Sequence, residues 1–244
     1  MHDELDMLEA RLYELESIPD LKHVVIEADV THQDNPKPSY YLDNKTRFER
    51  WSDRIVHVWA TGLPTVKDNP DPWAREHAQR EHAVAGLLEA CNHDVVLHGD
   101  LDEIPTVVAA RNVKPAGMVA FEQRGYFWAV DWLYPLPWYG TVAARAKDIR
   151  SFGAMRDARN IAPSIPGAGW HLSWLGGPER ATHKLGAFCH PEVEDRIVAG
   201  LANDAFLGDG WHVDGQKMIP VDVDRTWPKY VFERRCPESW FRPR

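Results

Sequence analysis

Three carboxylates fall within four residues in the run His98-Gly99-Asp100-Leu101-Asp102-Glu103-Ile104-Pro105. The run continues Asp94-Val95-Val96-Leu97-His98, whose apolar, β-branched middle reads as a buried strand. Carboxylates this close repel one another, and one must stay protonated unless a cation sits among them. A divalent metal removes the conflict. Oxygen ligands and a partly open shell suit Mg²⁺ or Mn²⁺ held together with a substrate phosphate. In extended chain, Asp100 and Asp102 share one side and Leu101 takes the other. The carboxyl edge of a strand in an open α/β sheet is also where ligands bind. The competing reading is a solvated acidic turn capping a helix that Pro105 begins.

Two further clusters carry chemistry. The helix beginning at Asp71-Pro72 and running to Cys91 has an apolar stripe through Leu87 and Val84. Traced backwards, that stripe meets Arg80, then His77 or Glu76, then Trp73. Its first half is polar on every face. One end therefore packs on a sheet while the other lines a cleft, where Arg80 binds a phosphate or pairs with the Asp cluster. The alternative is a helix projecting into solvent. The other cluster is Gly167 to Glu179. Alternation puts Trp170, Leu172 and Trp174 on one face and His171 and Ser173 on the other, and Gly176-Gly177-Pro178 turns into a helix with Glu179 in its first turn. His171 is a candidate third metal ligand and Glu179 a candidate general base. A structural histidine and a dipole-favoured helix start are their bland counterparts.

The elements that must position these groups follow from periodicity. Leu5, Leu8, Leu12 and Leu15 predict an amphipathic helix over 3–17. Strands are predicted over 23–27, 54–59 and 94–98, with loops at 29–44 and 62–72 and a helix at 45–52. Strands alternating with helices point to a mainly parallel α/β sheet with a Rossmann-like first half. Beyond about 115 the pattern turns to aromatic-rich strands, with mixed helices from about 178. The 244 residues carry 44% apolar and 27% charged side chains, as ordinary globular chains do. The net charge of −9, from 37 acidic and 28 basic residues, argues against general nucleic-acid binding. No apolar run approaches the roughly 20 residues of a membrane span, and Met1-His2-Asp3-Glu4 does not open a signal peptide. Cys91, Cys189 and Cys236 are scattered without a CxxC, which suits a reducing, cytoplasmic setting. Trp, at 11, outnumbers Phe at 8 and Tyr at 7, so something here uses large flat rings, in the core or against a ligand.

Together the motifs resemble glycosyltransferase family 17, from about residue 3 to about 230. Asp3-Glu4-Leu5-Asp6-Met7-Leu8-Glu9-Ala10-Arg11-Leu12 is similar to the family's opening, and Val25-Ile26-Glu27 with Thr31 and Pro36-Lys37-Pro38 to its first strand and loop. Asp100 to Pro105 fits its D-x-D-E-I-P motif and Gly169 to Ser173 its G-W-H-x-S stretch, with Lys184 at the expected distance beyond. The resemblance implies one GT-A domain over 1–244: a nucleotide-sugar half over about 1–115, an acceptor half over about 116–230, and a basic aromatic tail over 225–244. It implies metal-dependent, inverting transfer from a UDP-sugar, with N-acetylglucosamine as the sugar of the best-known members, to a carbohydrate or glycoconjugate acceptor. The animal Golgi enzymes carry a membrane anchor and stem, and neither is expected of this sequence.

On that reading Asp102, with Asp100, holds Mn²⁺ or Mg²⁺, and His171 adds a metal or diphosphate contact, with His190 as the alternative. Arg80, Lys37 and Lys184 lie on the donor side. Glu27 and Asp29, at the end of the first strand, contact ribose or uracil. The base that deprotonates the acceptor is Glu179, with Asp131 second. Trp128, Trp132, Trp138, Trp170 and Trp174 stack on sugar faces, core packing being the alternative for each. The tail has six basic residues against two acids and either contacts an anionic acceptor or another subunit, or packs on the domain. A non-catalytic nucleotide-sugar or carbohydrate binder and a metal-dependent phosphohydrolase are the rival functions. Acceptor and oligomeric state are open.

Overall fold

A computed structural model describes residues 1–88, 90–187, 189 and 193–243. The opening helix forms as α1 (Leu5–Leu15), which turns Leu8, Leu12 and Leu15 into the core. Arg11 falls on the same face, since it lies three residues beyond Leu8 and four before Leu15. The first two predicted strands form as β1 (His23–Ala28) and β2 (Ile55–Ala60), paired in parallel from His23↔Ile55 to Ala28↔Ala60. The segment between them is more ordered than the expected loop and helix. It holds a helical turn, α2 (Tyr40–Asp43), and then 3-10 turns over Lys45–Arg54.

Helix α3 (Pro72–Glu81) starts where expected. The Asp71 carboxylate accepts from the Trp73 N–H at 3.0 Å, and Pro72 occupies the first turn, where no amide donor is needed. It ends earlier than the pattern predicts. Val84 and Gly86 are weak helix formers, and His82–Leu87 tightens into 3-10 turns.

The other strands build one sheet in the order β3 (Val95–His98), β6 (Trp132–Arg145), β5 (Val119–Phe127), β7 (Ser164–Ser173), β4 (Glu103–Pro105), with β8 (Ile219–Pro220) added to β6. Here the expectation of a mainly parallel sheet is corrected. Only β5–β7 runs parallel in this sheet, while β3–β6, β5–β6, β4–β7 and β6–β8 are antiparallel. The turn at 128–131 is too short for a crossover, so β5 and β6 must fold back on each other. At 14 residues, β6 is long enough to take β3 at one end and β8 at the other. The third predicted strand therefore joins this sheet and not the β1–β2 pair. The result is a mixed α/β fold, a curled mixed sheet flanked by helices. Among the described residues no helix is long and apolar enough to cross a membrane.

Most of the tryptophan excess goes into two adjoining cores. One gathers Trp170, Trp227 and Trp240 with Met7 and Ala10 of α1, and the other Trp128, Trp132 and Trp174 with Phe206. The basic tail lies on the body: α8 (Lys229–Phe232) packs on α1, and the Lys229 N–H donates to Glu14 at 2.8 Å.

Candidate active site

Pairing of β4 with β7 joins the two motifs that lie some seventy residues apart. Glu103 stands opposite His171 and Ile104 opposite Trp170, and the Leu172 N–H donates to the Asp102 carbonyl at 2.9 Å. Gly169 permits this approach. A Cβ there would lie 2.3 Å from the Ile104 carbonyl oxygen, closer than any side chain allows. Parallel pairing with β5 puts Gly125 beside His171, and the ring of Phe127 packs edge-on to the imidazole at 5.1 Å.

Cations from separate elements meet the three carboxylates. Helix α5 (Phe152–Asp157) brings Arg156, whose Nη1 donates to Glu103 Oε1 and Oε2 at 2.7 and 2.8 Å and whose Nη2 donates to Asp100. Arg80 of α3 donates from both Nη atoms to Asp100 Oδ1 at 3.2 Å and also pairs with Glu76. Glu103 is fully buried and further holds Trp138 Nε1 at 3.0 Å and the Asp100 N–H at 2.9 Å. Desolvation alone would raise the Asp100 carboxyl, but Arg156 and Arg80 hold it well below the usual carboxylate range. Asp102 is less tightly engaged, with His171 Nε2 at 3.5 Å and Lys184 Nζ at 3.8 Å. Burial would raise it too, and His171 and Lys184 lower it on balance. The repulsion that the sequence placed on a metal is thus offset by protein cations. Arg11 reinforces the turn, donating to the carbonyls of Glu103 at 2.8 Å and Asp100 at 3.3 Å.

These groups line a cleft of 1490 Å³ between the β1–β2 pair and the larger sheet. Asp100, Asp102, His171, Arg80, Lys37, Lys184 and Trp174 all reach it. So do Glu76, His77 and Gln79, the polar half of α3. Lys184 extends from α6 (Gly177–Leu185) to Glu4 at 3.0 Å and lies 5.5 Å from the Trp174 ring centre. Burial opposes its charge, yet Glu4 and Asp102 raise its pKa.

Other expected residues lie elsewhere. Glu27 is fully buried. Its carboxylate accepts from Ser39 Oγ at 2.7 Å and from the Tyr40 and Tyr41 N–H groups at 3.0 and 3.1 Å, with His57 Nε2 at 3.0 Å. It holds the start of α2 in place. Asp29 follows β1 without lining the cleft. Glu179 is exposed on α6 because Ala181, Lys184 and Leu185 occupy the inward face of that helix. Asp131 accepts from the Arg242 N–H at 3.1 Å and Nε at 2.9 Å, which pins the tail. Trp128, Trp132 and Trp170 are buried and do not line the cleft. Trp128 stacks on Phe206 at 4.3 Å, while Trp132 and Trp170 donate to the carbonyls of Leu207 and Thr226. For these three, core packing replaces sugar stacking. His190 lies outside the described residues.

Arg156 and Arg159 carried no signal in the sequence, since neither sits in a motif. Arg11 did carry one: an arginine on a leucine face asks for a buried acceptor. Arg159 lines the cleft, lies 5.4 Å from the Trp138 ring centre, and has no ion pair with the described residues. Trp138 in turn stacks on His171 at 4.0 Å.

The expected Mn²⁺ or Mg²⁺ can be tested against these donors. Among the described residues no three His, Cys, Asp or Glu side chains converge as a metal cage. Asp100 is taken up by two arginines, which leaves the facing pair of Asp102 Oδ1 and His171 Nε2. Such a pair fits a divalent ion only where substrate phosphate and water complete the shell, the usual habit of Mg²⁺. The buried Nδ1 of His171 has no hydrogen-bond partner among the described residues, so stacking on Trp138 sets the ring's orientation.

No curated protein and no solved structure matches the chain. The model of glycosyltransferase family 17 matches residues 1–202, which include the acidic cluster, His171 and Lys184. On that match, over most of its length and through the residues that line the cleft, the chain belongs to glycosyltransferase family 17.

Proposed function

We propose that the chain transfers a sugar from a nucleotide-sugar donor, UDP-N-acetylglucosamine on the family reading, to a carbohydrate or glycoconjugate hydroxyl with inversion, on a GT-A-type fold. One observation carries the reading: family motifs distant in sequence converge on a single cleft rich in paired charge. Lys37, Arg80 and Lys184 supply positive charge for a diphosphate, and Arg159 joins them as a cation without a counter-ion among the described residues. Asp102 and His171 are the residues that would hold Mn²⁺ or Mg²⁺, with Asp100 positioning the arginines beside them. A bound metal of this kind stabilises charge on a departing diphosphate as a Lewis acid. Trp174 and Trp138 offer the flat faces in the cleft for a sugar ring.

A thermal-shift panel of UDP-sugars with and without Mn²⁺ tests this. Ligand at about 100 times its Kd stabilises by about 2.7 kcal/mol. At about 2–4 °C per kcal/mol for a chain of this size, the preferred donor raises Tm by about 5–11 °C. No shift with any UDP-sugar refutes the reading.

A further inference from the structure

The side-chain cations that line the cleft differ in what they already hold. Lys184 meets Glu4 at 3.0 Å and Asp102 at 3.8 Å, Arg80 meets Glu76 and Asp100, and Arg156 meets Glu103 and Asp100. Lys37 lies 4.0 Å from the buried Glu27 and donates to the Met1 carbonyl at 3.3 Å. Arg11 and Lys22 donate to backbone carbonyls, those of Asp100 and Glu103 for Arg11 and that of Asp53 for Lys22. Arg159 differs from all of these. Among the described residues it has neither an ion pair nor a hydrogen-bond acceptor, and its contact is the Trp138 ring at 5.4 Å.

The local fold explains the difference. Arg159 lies in the 3-10 turn Ala158–Asn160 that continues α5, three residues beyond Arg156, so the two arginines leave the same side of the segment. Arg156 takes up the carboxylates of Glu103 and Asp100, and Arg159 is left half-buried at the cleft. Asp157 lines the cleft too and forms no ion pair with it. The support beneath the guanidinium is rigid, because Trp138 Nε1 is held by Glu103 at 3.0 Å and the indole stacks on His171 at 4.0 Å. A ring contact uses up none of the carboxylate- or phosphate-seeking N–H donors. Burial and Arg156 lower the Arg159 pKa, and Glu103 and Asp100 oppose this only in part. The group stays charged near pH 7 and gains from an incoming anion.

We propose that Arg159 is the residue by which the cleft selects a nucleoside diphosphate over the corresponding monophosphate; this rests on the reading of the cleft as a nucleotide-sugar site and adds which cation decides. A paired cation brings its carboxylate with it. A phosphate placed on Lys184 also meets the field of Glu4 and Asp102, and one placed on Arg80 that of Glu76 and Asp100. Such pairs return little for each added negative charge on a ligand. Arg159 is the cleft cation whose charge is not already spent on an acceptor among the described residues, so the second phosphate gains most there. Its planar fork also suits two phosphate oxygens at once.

The test is calorimetric titration of uridine, UMP and UDP, in Mn²⁺, into the wild type, R159Q and R159K. Glutamine keeps a flat amide against Trp138 and removes the charge. The wild type is expected to bind UDP more tightly than UMP. R159Q is expected to lose about tenfold or more in UDP affinity, while its affinities for UMP and uridine change by less than about threefold. R159K keeps the charge without the fork and is expected to fall between the two. It carries the test if R159Q does not fold, and a wild-type ratio of UDP to UMP affinity in R159K then overturns the proposal. UDP affinity in R159Q within about threefold of the wild type overturns it and leaves the donor reading standing. Equal weakening of all three ligands overturns it as well, since that marks a distorted cleft and not a lost phosphate contact. A wild type that binds UDP no more tightly than UMP does the same. Failure of the wild type to bind any of the three overturns the donor reading itself, and the proposal with it.

Discussion

Replacing Arg156 by alanine strips the buried Glu103 carboxylate of its cation, and the structure sets the size of the effect. Glu103 has no solvent contact, and Arg156 Nη1 meets both of its oxygens at 2.7 and 2.8 Å. Removing one partner of a buried ion pair costs about 3–5 kcal/mol, because the other charge stays buried. Trp138 Nε1 and the Asp100 N–H would still donate to Glu103, which places R156A near the lower end, about 3 kcal/mol. Asp100 adds little, since its side chain is 40% exposed and keeps Arg80. At about 2–4 °C per kcal/mol, Tm should fall by about 6–12 °C in scanning calorimetry. The double variant E103Q/R156M removes both charges and should recover most of the loss. A loss below about 1 kcal/mol in R156A, or a double variant no more stable than the single, would refute the reasoning.

Stability should also fall as the solution is acidified, before carboxylates protonate. Burial lowers His23 and His98 to about 3 and His32 to about 4, from an ordinary 6.5. Their contribution is present above the unfolded pKa and is lost as pH falls, since the unfolded chain then binds protons the native one refuses. Tm should decline steadily between about pH 6.5 and about pH 4, and a flat profile there would contradict it. Trp132→Ala should cost about 3–5 kcal/mol in urea unfolding through loss of core packing and leave UDP affinity unchanged, as expected of a residue outside the cleft. Gly169→Ala should cost about 1–3 kcal/mol and loosen the β4–β7 pair, which amide exchange at Leu172 would report.

The lining of the candidate cleft was legible in sequence wherever a local pattern carried it. An apolar run ahead of clustered acids pointed to Asp100 and Asp102, although that strand is half-buried along the cleft and not in the core, and Arg80 stood out on a stripe that should have been apolar. The polar half of α3 was legible for the same reason, and so was its start, because Asp71-Pro72 is a local cap. Strand direction was not legible. It depends on the short turn after β5 and on the length of β6, which lets one strand serve two partners. The tryptophans misled because alternation gives faces but not what covers them, and the tail that covers Trp170 arrives more than fifty residues later. Arg156 was invisible for a related reason: a cation that answers a distant carboxylate leaves no trace at its own position.

The most direct test of the central claim is calorimetric titration of UDP, in Mn²⁺, into the wild-type protein and D102A. Saturable binding by the wild type, weakened at least about tenfold (about 1.4 kcal/mol) in D102A, is the predicted result. Equal affinity in the two proteins, or no binding by either, would contradict it.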